Sequence, residues 1–252
     1  MTEAAAADAV LGVAAIFARV GGMFLIAPGL SSVRVPVQVK LFLALALSLT
    51  LAPLLMTEAA ASIAGRTPAD ILRVLGGETI TGLLIGLILR LLLMALQTMS
   101  VATANLIGLG VVPGISMDGN EPAQAVSNLF TITAVTIIFL TDLHFEILRA
   151  LVGSYSVLPL GIMVSPQAAL VAVSDRASET FLIALRLIAP FMIYSVIINF
   201  AVGLTNKLTP QLPIFFVSLP FVTAGGLILL SLAIREVLVA FTDAFAQLGL
   251  AL

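Results

Sequence analysis

The chain has 252 residues, of which 61% are hydrophobic and only 10% are charged, and its mean hydropathy is +1.22. Because soluble domains carry about a quarter charged residues, this composition excludes an ordinary soluble domain and indicates an integral membrane protein. The net charge of −2 offers no basic face for nucleic acid, and the lack of cysteine excludes disulfides and thiolate metal sites.

Apolar segments follow one another along the whole chain. A bilayer core about 30 Å thick needs roughly 20 apolar residues per helix. Segments of this kind occupy 9–30, 36–56, 71–96, 97–115, 126–152, 180–204 and 212–241. Nothing stronger than Gln97 and Asn105 divides the stretch 71–115, so it is either one long helix or two. The sequence therefore predicts an all-α integral membrane protein of six to seven apolar helices, with one membrane domain over 1–252 and short connections, one of them over 153–176.

Several charged residues interrupt the apolar segments. Among them are Arg19, Glu78 and Arg186. A charge near the centre of a membrane helix costs roughly 2.5–3.5 kcal/mol on insertion scales, so such side chains need partners or water. We expect these three to be buried charges, either within a shared polar interior or on a side that faces a pore. For any single one, the alternative is a paired or snorkelling residue at a helix end.

Asp142, His144 and Glu146 raise the possibility of a metal site or a proton relay. On a continuous helix, residues four apart share a face while a residue two apart lies on nearly the opposite side. His144 could not then join the two carboxylates on one ion, and Glu146 with Arg149 would form a local pair. Motifs for phosphate-binding loops and nucleophile elbows are absent. We expect no metal, no cofactor and no enzymatic activity.

The stretch 205–220, TNKLTPQLPIFFVSLP, places a polar and proline-rich corner between two strongly apolar segments. Proline lacks a backbone N–H and disfavours helical geometry in the preceding residue, so Pro210 and Pro213 should end one helix and set the start of the next. Such a corner is costly in lipid unless other protein or water surrounds it.

The corner resembles the C-terminal signature of the FliR/SctT family, a membrane component of the flagellar and type III secretion export gate. The family pattern reads G-L-x-x-[RK]-x-x-P-Q-x-x-[IV]-F-x-x-x-x-P, and the matching residues are Gly203, Leu204, Lys207, Pro210, Gln211, Ile214, Phe215 and Pro220. Less specific similarities run in order along the chain. They are Arg19 with Pro28, Glu78 with Gly82 and Gly86, and the turn Leu158-Pro159-Leu160-Gly161.

The resemblance implies a structural and gating subunit of the flagellar protein-export channel in the bacterial inner membrane, at the flagellar basal body. Its partners would be FliP-like, FliQ-like and FlhB-like membrane subunits, with unfolded exported proteins as substrates. The helices would form hairpins that stack with the partner subunits, with part of the chain on the periplasmic side. The alternatives are the same role in a virulence-type injectisome, or a self-sufficient small-molecule permease.

The resemblance also implies two sites. A loop over 109–122 would plug the pore, with candidate residues Gly110, Val111, Val112, Pro113, Gly114, Ile115 and Met117. Its glycines and prolines favour a mobile loop over a helix, and its apolar side chains could seal the pore by excluding water. The hairpin corner would serve assembly through Lys207, Pro210, Gln211, Pro213, Phe215 and Pro220.

Overall fold

The computed structural model describes residues 3–32, 35–111 and 122–250, and no strand occurs among them. Its helices are α1 Glu3–Ile26, α2 Val37–Ala61, α3 Pro68–Leu106, α4 Pro122–Leu140, α5 His144–Val157, α6 Pro166–Leu208 and α7 Ile214–Leu250. A short 3-10 turn follows α3 at Leu109–Val111. Six of the helices, all but α5, are long and apolar enough to cross a membrane. The predicted all-α membrane class is confirmed.

In the part of the stretch 71–115 that the structure describes, up to Val111, there is one α-helix, α3, and not two. Gln97 lies within it and does not interrupt it. The helix starts where the Thr67 hydroxyl accepts a hydrogen bond from the N–H of Asp70 at 3.3 Å, which caps the first turn. It ends before Gly108, whose φ of 84° lies in the left-handed region that commonly terminates helices.

The connection predicted over 153–176 is wrong, because α5 continues to Val157 and α6 already begins at Pro166. Ser165 Oγ accepts a hydrogen bond from the N–H of Ala168 at 3.1 Å, and proline occupies the first helical position. Both features are typical of a helix start. The charged residues Asp175, Arg176 and Glu179 therefore lie on a helix and not in or beside a loop.

The segment predicted as one helix over 126–152 is also divided. α4 ends at Leu140 and α5 begins at His144, with Asp142 between them at a φ of 58°. Aspartate is one of the few residues that visit this left-handed conformation. Asp142, His144 and Glu146 are therefore not on one continuous helix, and the argument from helical spacing against a metal site does not apply. The described residues nevertheless contain no cluster of three or more His, Asp or Glu that could hold a metal ion. The predicted pair of Glu146 and Arg149 is present.

The helices form two compact units. The first comprises the described residues of 1–91, 141–177 and 245–252, and the second those of 92–140 and 178–244. The first unit thus contains α1, α2, α5 and the beginning of α3. The second contains α4, the end of α3, and most of α6 and α7.

In the first unit, α1 and α3 approach each other at backbone distance. A Cβ on Gly82 would lie 2.0 Å from the carbonyl oxygen of Arg19, and a Cβ on Gly86 would lie 2.7 Å from that of Met23. On the facing helix, a Cβ on Gly22 would lie 2.5 Å from the carbonyl oxygen of Thr79. Small residues at this spacing let helix backbones approach closely.

We therefore expect Gly82→Ala to destabilise the first unit by about 1–3 kcal/mol, because α1 or α3 must shift to admit the methyl group. Thermal unfolding of the purified chain in detergent, followed by far-UV circular dichroism, measures the change. Gly76→Ala is the matched control, since a Cβ there meets no atom within 4 Å. Equal unfolding temperatures for the two variants would contradict the close approach.

Candidate gating and assembly sites

Arg19 is buried in the first unit and pairs with Glu78. Its Nε donates a hydrogen bond to Glu78 Oε2 at 2.6 Å, and the two side chains are 0% and 1% exposed. Nη1 donates to Ser154 Oγ at 3.2 Å, and Nη2 donates to the carbonyl oxygen of Leu158 at 2.9 Å. A buried charge is tolerated when it is paired and hydrogen-bonded, so these contacts explain how α1 can contain an arginine.

The same ion pair holds the turn after α5 at both of its ends. Leu158 offers its carbonyl oxygen to Arg19, while the N–H of Gly161 donates to Glu78 Oε1 at 2.8 Å. Gly161 has a φ of 85°, a conformation in which a side chain is strained. Three separate sequence motifs, around Arg19, Glu78 and Leu158–Gly161, therefore meet at one place.

Tyr155 covers the guanidinium group of Arg19. The guanidinium carbon lies 4.2 Å from the centroid of the ring, which is cation–π geometry. Tyr155 belongs to α5, which is not one of the membrane-spanning candidates, and burial raises the pKa of its phenol above the ordinary range. The ring therefore stays neutral beside the cation. With both charges sealed from solvent, the arrangement joins α1, α3 and α5 and leaves no surface for a ligand.

Arg186, which we expected among the buried charges, is exposed in this chain. α6 buries Thr180, Ile188, Phe191 and Ser195. At about 100° per residue, Arg186 falls on the opposite side of the helix from these four. The hydrophobic pattern did not reveal this, because α6 is apolar on both its buried and its exposed side.

The residues just before the candidate plug loop lie against α7, in the second unit. A Cβ on Gly108 would lie 3.3 Å from Thr223 Oγ1 and 3.4 Å from Leu219 Cδ1. Ile107 is closer still, since a Cβ on Gly226 would lie 2.3 Å from its Cβ. The loop therefore starts from a packed base on the helix that follows the corner.

Of the candidate plug residues, the structure describes the backbone of Gly110 and Val111, which form the 3-10 turn with Leu109. A Cβ on Gly110 would lie 1.9 Å from Asn105 Oδ1, so the turn folds back onto the last turn of α3. The other candidates lie outside the described residues: Val112, Pro113, Gly114, Ile115 and Met117. A mobile loop there stays a prediction.

Tyr194 of α6 forms a hydrogen bond with α7 two residues after Pro220. Its hydroxyl donates a hydrogen bond to the carbonyl oxygen of Val222 at 2.7 Å, and it lies 2.6 Å from the position of a Cβ on Gly225. A cavity of about 170 Å³ lies beside this contact, with Asn105, Ser195 and Phe215 among its lining residues. A cavity of this size could hold several water molecules or a side chain.

The corner is open to the surroundings. α6 ends at Leu208 and α7 begins at Ile214, so the break falls where the two prolines of the corner loop predict it. All of the corner candidates are exposed: Lys207, Pro210, Gln211, Pro213, Phe215 and Pro220. Pro220 lies inside α7, not in the loop, and its missing N–H leaves one helix carbonyl without its usual backbone donor.

Sequence reasoning missed Ser154, Tyr155, Tyr194 and the role of Gly225 and Gly226. One signal was available, because the chain has only two tyrosines and no tryptophan. In membrane proteins these residues usually mark the lipid interface. Here both tyrosines make contacts within the chain instead, one with Arg19 and one with α7.

Comparison with known proteins agrees with the motifs. The sequence profile of the bacterial export proteins, family 1, matches residues 10–248. The chain belongs to this family. Within bacterial export proteins, family 1, it is 31% identical to the flagellar biosynthetic protein FliR of Caulobacter vibrioides, with 93% of each chain covered.

Two further relatives carry the same name, flagellar biosynthetic protein FliR. The protein of Aquifex aeolicus is 27% identical, over 86% of this chain and 83% of its own length. The protein of Escherichia coli is 24% identical, over 84% and 80%. The resemblance to the FliR/SctT family is thereby confirmed, and the family is one of export proteins, not of enzymes.

The ion pair generates a stability prediction. Arg19→Met alone should destabilise the chain by about 3–5 kcal/mol, because it leaves Glu78 as an unpaired buried charge. Arg19→Met combined with Glu78→Met should cost less than the sum of the two single changes, since neither charge remains. Unfolding of the purified chain in detergent gives the three values.

Arg73→Met serves as the control for this cycle. Arg73 pairs with Asp70 at 3.3 Å, but its side chain is 77% exposed, so its loss should leave stability unchanged within error. Strictly additive losses for Arg19 and Glu78 would show that the two charges do not depend on each other.

Proposed function

We propose that this chain is a structural and gating subunit of the flagellar type III protein-export channel. It assembles with FliP-like and FliQ-like membrane subunits, and with an FlhB-like one, in the bacterial inner membrane at the flagellar basal body. Unfolded flagellar proteins pass through the assembled channel. The names of the relatives favour the flagellar system over an injectisome.

The observation that carries this proposal is the exposure of the corner that bears the most specific family motif. Lys207, Gln211 and Phe215 lie on the surface of their own chain, where they add little to its folding. A polar, proline-broken backbone is not tolerated against lipid. In the helix that follows, only 6% of the apolar window is buried within the chain. Neighbouring subunits are the surroundings that suit both features.

The lengths of three helices support the same conclusion. α3, α6 and α7 contain 39, 43 and 37 residues. At 1.5 Å per residue they are about 55–65 Å long, which is close to twice the thickness of a bilayer core. Each therefore extends beyond the hydrocarbon or lies in it at a steep tilt. Helical hairpins stacked with partner subunits, partly on the periplasmic side, accommodate such lengths.

Gating is assigned to the loop over 109–122. The two residues that precede it, Ile107 and Gly108, pack against α7, and α7 begins directly after the corner. A partner that binds the corner therefore holds the helix against which the residues before the loop are packed. Apolar side chains of the loop, such as Ile115 and Met117, would close the pore by excluding water.

The assembly role is tested at the corner. We expect the wild-type chain to co-purify with its FliP-like and FliQ-like partners. Pro210→Ala combined with Gln211→Ala should lower their recovery at least about fivefold, the equivalent of roughly 1 kcal/mol, because the joint between α6 and α7 loses its shape. Pro53→Ala, within α2, is the control and should leave recovery unchanged. Normal assembly and normal export in the corner variant would refute the assignment.

The gating role is tested by deleting residues 110–117. The assembled complex should then conduct ions in its closed state, because the apolar seal is gone while the corner is intact. Ion flux into proteoliposomes that contain the purified complex measures the leak, with the wild-type complex as reference. An assembled deletion variant with unchanged permeability would show that the plug lies elsewhere.

A further inference from the structure

One face of α6 points directly away from the interior of its own unit. We call it the Arg186 face, and its members are Leu182, Arg186, Ile193, Ile197 and Phe200. They follow one another at spacings of three, four or seven residues, which place them on one side of a helix. The residues that α6 buries, such as Ile188 and Phe191, lie on the other side.

The described residues of the chain leave the charge of Arg186 without a neutralising partner. The ion pairs of the described residues join Arg19 to Glu78, Arg73 to Asp70, and Arg149 to Glu146. In this part of the chain no carboxylate forms an ion pair with Arg186. The guanidinium of Arg186 thus lies in the middle of an apolar surface, with exposed apolar side chains both before and after it in α6.

Lipid alone does not suit this face. If Arg186 lies among the lipid headgroups, with the apolar residues after it in the hydrocarbon, then Phe181, Leu182 and Leu185 project towards water although they are 58%, 55% and 40% exposed. If the bilayer covers those three as well, then Arg186 lies in hydrocarbon, where a charge is strongly disfavoured. Each position of the membrane leaves one group in an unfavourable medium or forces the Arg186 side chain to extend along the helix towards the headgroups.

We propose that the Arg186 face is a docking surface for an apolar helix of a neighbouring membrane subunit, and that this helix carries an Asp or Glu at the level of Arg186. The carboxylate neutralises the guanidinium, with which it can form two parallel hydrogen bonds. The apolar side chains of the same helix cover Leu182, Ile193 and Ile197. The inference rests on the proposed function, because it needs an assembly of membrane subunits.

The first test compares Arg186→Leu, Arg186→Lys and the control Arg73→Leu in the export complex isolated from membranes. Arg186→Leu should lower the recovery of partner subunits at least about tenfold, because the partner's carboxylate is left unpaired at a buried contact. Arg186→Lys keeps the charge and should retain most of the recovery, and Arg73→Leu all of it. If the face contacts lipid, leucine suits it better than arginine, and recovery that is unchanged or higher overturns the inference.

The second test does not depend on the variant at Arg186. Because the chain contains no cysteine, Ile197→Cys introduces a single thiol into the Arg186 face. A short thiol-specific photocrosslinker at this position should join the chain to a partner segment that contains an Asp or Glu, identified by mass spectrometry. Crosslinking to lipid alone overturns the inference.

The two proposals fail in different ways. If the wild-type chain does not co-purify with membrane partners, the proposed function fails. If it does co-purify, but Arg186→Leu assembles normally and Ile197→Cys reaches only lipid, the docking surface alone is refuted.

Discussion

A buried ion pair requires its neighbours to supply hydrogen bonds and to exclude water. In the first unit, Arg19 and Glu78 form such a pair. Each charge is tolerable only while the other is present and while polar groups complete the coordination. Those groups come from α5 and from the turn that follows it, as Ser154 Oγ, the Leu158 carbonyl and the Gly161 N–H. The glycines of α1 and α3 matter for the same reason. They bring the two helices close enough for side chains on neighbouring turns to meet without a gap.

The second unit depends on packing at α7. The end of α3 and the middle of α6 both approach this helix near Gly225 and Gly226, through Ile107 and through the Tyr194 hydroxyl. The start of the candidate plug loop and the helix after the corner are therefore parts of one packed region. This proximity was not visible in the sequence, where the loop and the corner are about a hundred residues apart.

Composition and proline positions predicted the correct structure because neither effect depends on which helices pack together. Composition acts over the whole chain, and proline acts on its immediate neighbours. The membrane class follows from the number of apolar residues, and the break between α6 and α7 follows from Pro210 and Pro213. The start of α6 was missed, although Ser165 followed by Pro166 is a typical helix start. The burial of Arg19 and the exposure of Arg186 could not be separated, because each depends on which helix lies opposite.

The adjacent glycines of α7 also limit how this sequence can evolve. Because neighbouring helical residues project about 100° apart, Gly225 faces α6 while Gly226 faces α3. A side chain gained at position 225 requires a smaller residue at 194, and one gained at 226 requires a smaller residue at 107. A substitution at either glycine alone should therefore destabilise the second unit. We therefore expect both glycines to be retained in related sequences while the exposed positions around them change. Residues 107, 194, 225 and 226 should change together or not at all.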